Sequence, residues 1–164
     1  MSDLYDADVL EWSERQADLL RCHAAGERLK EQPDWPNIIE EIESVGPSQL
    51  SGVQSLLVQA MAHALKARRW PDSVSVPHWE AEARGFRADA RRDFSPSMRQ
   101  RIDIGRLYAQ ALDRLPDRID GKPPQALPET CPVTLDQLLG PERDLSLASP
   151  VQPPVTQSSP SPSQ

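Results

Sequence analysis

The stretch "NIIEEIESVGPSQL", residues 37–50, decides how the chain is read. Ile38, Ile39, Ile42 and Val45 recur at three- and four-residue intervals, with Glu40, Glu41 and Glu43 set between them. At about 100° per residue, Trp35, Ile38, Ile42 and Val45 gather on one side of a helix. Glu40 then points away, while Glu41 and Glu43 flank the stripe on opposite edges. One helix so arranged cannot aim all three carboxylates at one ion. The spacing predicts an amphipathic helix from about Trp35 to Val45 with its apolar stripe on the core. Gly46-Pro47 reads as a stop and restart, since glycine accepts a left-handed cap and proline a first turn.

The same period extends in both directions. Upstream, a helix is expected from an Asp6 cap to about Ala24, with Gly26 as its stop; Val9, Trp12, Leu19 and Leu20 share one arc with Gln16 and His23. Downstream, Leu50, Val53, Leu57, Ala60, Ala64 and Leu65 define the longest helix, from Ser48 to Arg69. A fourth helix is expected over about 78–94 on Trp79, Ala83, Phe86 and Ala90, with an exposed arginine-rich side. A fifth runs from "SPSM" to about Leu115 on Met98, Ile104, Leu107, Tyr108, Ala111 and Leu115. Residues 116–133 read as an irregular arm bearing prolines. "TLDQLL", 134–139, carries the threonine and glutamine of a capping box and predicts one short helix. Sustained period-2 alternation and Asn-Gly hairpin signals are both missing. The expectation is an all-α bundle of four to five helices over residues 1–140 with a short C-terminal helix. Residues 141–164, rich in proline and serine, read as a disordered tail.

Composition narrows the function classes. The 164 residues carry a net charge of −7, and an acidic surface repels nucleic acid unless its basic groups are segregated. Segregation is present: residues 1–60 hold twelve acidic and four basic side chains, and residues 61–115 hold seven and eleven. Oppositely charged helices packed side by side account for that pattern better than a nucleic-acid patch does. Cys22 and Cys131 match no metal-binding or redox spacing. Nothing resembles a signal peptide or a membrane span, so a cytoplasmic protein is expected.

The side chains offer little recognisable catalytic machinery. No glutamate lies three residues before His23, His63 or His78, as bundle metal sites require, and the common hydrolase and phosphate-binding motifs are missing. Two Glu-x-x-Glu pairs remain, Glu11/Glu14 and Glu40/Glu43. All-α nucleotide pyrophosphohydrolases hold magnesium with such pairs on neighbouring helices, because a hard cation takes several oxygen ligands. Acidic i,i+3 pairs are also ordinary on solvated faces, so magnesium is the alternative reading here and no cofactor the first. His63 at the edge of an apolar stripe fits a packed core-edge residue, and Cys131, beside Glu129 and Asp136, a structural thiol.

Taken together, "LYDADVLEWSERQADLL", "NIIEEIESVG", "LLVQAMAHALK" and "LPETCPVTLDQLL", in this order and at these separations, resemble the bacterial domain of unknown function 29 (DUF29) family over about residues 4–140. Ala67 and Val133 stand where the family pattern has tryptophan. The resemblance implies an all-α bundle and no established activity. Carried over residue by residue, its recurrent positions are Trp12, Gln16, Glu40, Glu41, Glu43, Gly46, His63 and Trp79. Trp12, Gly46 and Trp79 are expected as structural anchors. Gln16, Glu41 or Glu43, and His63 are expected as a buried polar network or site. The leading expectation is a non-enzymatic helical interaction module, antitoxin-like in its partner binding, that engages a protein partner or a second copy of itself. The alternative is a magnesium-dependent nucleotide pyrophosphohydrolase-like enzyme using Glu11, Glu14, Glu40 and Glu43.

Overall fold

A computed structural model describes residues 3–141. The expected tail, apart from Pro141, lies outside the described residues. Among the described residues the secondary structure is helical, in the order α1 (Asp3–Ala7), α2 (Val9–Ala24), α3 (Trp35–Arg69), α4 (Val76–Asp93), a 3₁₀ turn (Pro96–Arg101), α5 (Ile104–Asp113) and α6 (Leu135–Leu139). It divides into two compact units, residues 1–50 and 51–164. The boundary falls within α3.

Several boundaries depart from the periodicity. The helix expected to begin at an Asp6 cap is two: α1 ends at Ala7, and Asp8 caps α2 by accepting the Glu11 N–H at 3.0 Å. It closes as expected, with Gly26 at φ 73°. The expected break at Gly46-Pro47 is absent, and α3 is one helix of 35 residues with Pro47 inside it. An interior proline costs about 3 kcal/mol or more through its lost N–H and its clash with the preceding turn. Anchors on both sides oppose that cost: Ile38 is buried and Glu41 hydrogen-bonded before it, and Val53 and Leu57 are buried after it. Packing routinely overrides local propensity in this way. The fifth helix is likewise split. Its first part is the 3₁₀ turn, and Asp103 caps α5 by accepting the Arg106 N–H at 3.1 Å.

The core of the second unit is built on α3. Val53, Leu57, Val58, Ala60, Met61, Ala62, Ala64, Leu65 and Ala67 are all buried, so more than one side of the helix is covered. Alanine at four of these positions permits close approach of neighbouring backbones. Trp79, Ala83 and Ala90 of α4 and Leu107, Tyr108 and Ala111 of α5 are buried as the spacing predicts, whereas Phe86, Ile104 and Leu115 are half-buried. Ala67 clusters with Trp70 and Trp79, and Val133 is also buried.

The arm from 116 to 133 is less irregular than its prolines suggest. Ile119 and Lys122 exchange both backbone hydrogen bonds, at 3.2 and 2.9 Å, around Asp120 (φ 52°) and Gly121 (φ 72°). Two successive positive φ values make this the tight turn that Asp-Gly favours. Trp70 Nε1–H donates to the Lys122 carbonyl at 3.0 Å, the Gln125 N–H to the Arg69 carbonyl at 2.9 Å, and the Tyr108 hydroxyl to the Pro128 carbonyl at 2.8 Å. These bonds tie the arm to α3 and α5.

The expected capping box opens α6, with the Thr134 side chain and Gln137 bonding reciprocally to backbone N–H groups. Its other end corrects a sequence expectation. Arg87, placed on the exposed side of α4 by its charge, is 3 % exposed. Its guanidinium donates to the carbonyls of Leu138 (2.8 Å), Gln137 (2.9 Å) and Gly140 (3.1 Å), and Arg91 donates to those of Leu139 (2.7 Å) and Gly140. A helix C-terminus offers unpaired carbonyls and partial negative charge, which is what permits a cation to be buried there.

Candidate protein-interaction surface

Residues 1–50 contain the stretch that opened the sequence reading, held by a small set of polar contacts. Asp34 organises them. Its carboxylate accepts from Asn37 Nδ2 at 2.7 Å and from the Trp12 indole N–H at 3.2 Å, and its backbone N–H donates to Gln16 Oε1 at 2.8 Å. Both Trp12 and Gln16 are buried. The Asn37 hydrogen bond and, against the desolvation of the site, the Trp12 bond hold the Asp34 carboxyl below the usual carboxylate range. These bonds fasten the segment entering α3 onto α2, and an exposed Arg15–Glu31 ion pair adds a second tie.

Tyr5 performs the same service for α1. Its ring meets Trp12 edge-on at 4.8 Å, and its hydroxyl donates to Glu41 Oε1 at 2.7 Å. That hydrogen bond, with the negative charge of Glu41, pushes the Tyr5 phenol up to about 12. Glu41 therefore faces α1, on one edge of the stripe.

The stripe itself is not on the core. Ile38 is 7 % exposed, but Trp35, Ile39, Ile42 and Val45 are 41, 51, 68 and 53 % exposed. The periodicity placed these apolar side chains on one face correctly, and the expectation that the face is buried fails. Sequence shows which side of a helix is apolar; burial also requires an element to cover it, and of this stripe only Ile38 is covered. Val9 and Leu10 of α2 are exposed as well. Trp35 keeps one edge contact, with the His23 ring at 6.0 Å.

The polar candidates fall as follows. Gln16 is satisfied by the Asp34 backbone and Glu41 by Tyr5. Glu11, Glu14, Glu40 and Glu43 are exposed, and among the described residues no three His, Cys, Asp or Glu side chains group closely enough to hold a metal ion. Trp12 is buried in the first unit and Trp79 in the second. Gly46 has nothing within 4 Å of where a Cβ would stand, so no close approach demands glycine there. His63, in the second unit, packs against Phe86 at 5.5 Å with its Nδ1 buried and unpartnered. Burial, and then the Lys66 charge, lower its pKa. Cys131 donates its thiol to the Val133 carbonyl at 3.4 Å, and burial raises its pKa, the behaviour of a structural cysteine.

Tyr5, Asp34 and Asn37 escape a search for catalytic spacings because their roles depend on contacts between separate elements. The available signal was Asp34 itself, a carboxylate between two prolines at a helix start.

Comparison with known proteins matches this geometry to a family without an assigned activity. A family model described as a domain of unknown function, DUF29, matches residues 4–143. A crystal structure of an α-helical protein of unknown function from Rhodospirillum rubrum is similar at 27 % identity and a TM-score of 0.59, over 85 % of this chain and 91 % of that one. No curated protein matches. No helix among the described residues is long and apolar enough to cross a membrane.

Proposed function

We propose, for a chain that belongs to the domain of unknown function 29 (DUF29) family, that residues 1–50 form a protein-binding module acting by association rather than by catalysis. One observation carries the reading: Trp35, Ile39, Ile42 and Val45 form an exposed apolar stripe along a single helix. Single exposed apolar residues are ordinary on a protein surface, but contiguous apolar patches mark interaction sites. Anchors spaced at i, i+4, i+7 and beyond are the pattern by which helices are packed against partners. Tryptophan, moreover, is enriched among residues that dominate binding energy. The Asp34 and Tyr5 contacts support the reading by fixing the presenting helix before any partner arrives, which lowers the ordering cost of association.

Photo-crosslinking tests it. A benzoylphenylalanine at position 42 is expected to give a discrete heavier product in cells, and one at Val74, an exposed residue of the second unit, to give none. Equal, diffuse labelling from both positions would defeat the reading.

A further inference from the structure

Building on the reading of this stripe as a docking face, we infer that its occupant is an amphipathic α-helix whose apolar side is bordered by lysine or arginine, and not a second copy of this chain. The shape argument comes from α3. Trp35 to Val45 spans three turns of helix, about 15 Å at 1.5 Å per residue, and a straight apolar ridge of that length fits the side of another helix packed alongside it.

The charge argument selects the partner. Residues 1–50 hold twelve acidic and four basic side chains, a net of −8. On α3, Glu41 and Glu43 lie about 100° to either side of Ile42, one on each edge of the stripe. Glu41 is engaged by Tyr5, and Glu43 is exposed. A partner that covers the apolar residues must bring its own flanks next to these carboxylates, and like charges brought together there are repelled. A second copy docking through this same face would bring the same −8 to the interface. Anionic lipid and nucleic acid are disfavoured for the same reason. Basic flanks turn that repulsion into steering and attraction, while the leucine- or isoleucine-type stripe supplies the buried area.

The full chain should be titrated into three labelled helical peptides that share one leucine stripe and differ only in flanking lysine, glutamine or glutamate, with anisotropy as the readout. The lysine peptide is expected to bind about tenfold or more tighter than the glutamine peptide, the glutamate peptide most weakly, with the difference narrowing at high salt. Ile42→Ser should weaken the lysine peptide by about tenfold without shifting the melting temperature. Glu43→Gln should narrow the gap between the lysine and glutamine peptides. If the glutamine or glutamate peptide binds as tightly as the lysine peptide and still depends on Ile42, the docking face stands and the basic partner is overturned. If the lysine peptide binds Ile42→Ser as well as wild type, or no peptide binds to a monomeric chain, both readings fail. If light scattering shows a dimer that Ile42→Ser dissociates, the second copy is the occupant and the inference is overturned.

Discussion

In the second half of α3, Val53, Leu57, Val58, Met61 and Leu65 are each at most 1 % exposed, whereas in the first half Ile39, Ile42 and Val45 stand more than half exposed on a helix of the same periodicity. The two halves differ in what surrounds them. The second half lies in a unit that also contains α4, α5 and an arm pinned by Trp70 and Tyr108. The first half shares its unit with α1 and α2, and hydrogen bonds of Asp34, Gln16 and Tyr5 join them. Helical spacing therefore reports how apolar residues are distributed around an axis, and says nothing of whether a neighbour exists to desolvate them.

That comparison can be broken by mutation, and the largest effect is expected in the buried half. Leu57→Ala should destabilise the protein by about 2–5 kcal/mol in a denaturant melt, the range for truncating a buried leucine. A loss below 1 kcal/mol would mean that this half is far less tightly packed than described. Arg87→Met, which removes one guanidinium from the carbonyls at the end of α6, should cost about 2–3 kcal/mol and speed hydrogen exchange in residues 135–140. Thr134→Ala should cost about 1 kcal/mol, the usual value of an N-cap, with Thr134→Ser close to neutral.

The halves should also titrate at opposite ends of the pH range. Tyr5 has a folded pKa raised from 10.0 to about 12, so its contribution is complete below pH 10 and is lost as pH rises toward 12. Tyr5→Phe should flatten that alkaline loss. His63 has a folded pKa lowered from 6.5, so the unfolded chain takes up its proton first and stability falls as pH drops below 6.5. His63→Phe should reduce the acid-side slope and leave the alkaline side unchanged; equal slopes with and without His63 would show that burial is not what sets its protonation. The smallest effect is expected at Ile42→Ser, within about 0.5 kcal/mol, as for surface substitutions away from structural features.

Much of the architecture was legible. The helical class, the buried face of α4, the Gly26 stop and the Thr134 capping box all followed from local spacing and side-chain chemistry. Pro47 is a misleading signal, because α3 runs through it although proline disfavours a helix interior. Arg87 is not legible locally, because the carbonyls that accept its charge lie some fifty residues further along the chain. Asp120-Gly121 carries a turn signal of its own within an arm otherwise marked by its prolines. The candidate surface was half legible: residues 37–50 showed the stripe and its carboxylate edges, while the absence of cover depends on the rest of the unit.

The most direct test of the account is hydroxyl-radical footprinting of the free, full-length chain, with each residue's labelling normalised to that of the unfolded protein. Trp35, Ile39, Ile42 and Val45 are expected to label at a large fraction of their unfolded rate while Leu57, Met61 and Leu65 remain protected. Protection of Ile42 and Val45 equal to that of Leu57 and Leu65 in the monomer would contradict it, because the stripe would then be core and no docking face would exist.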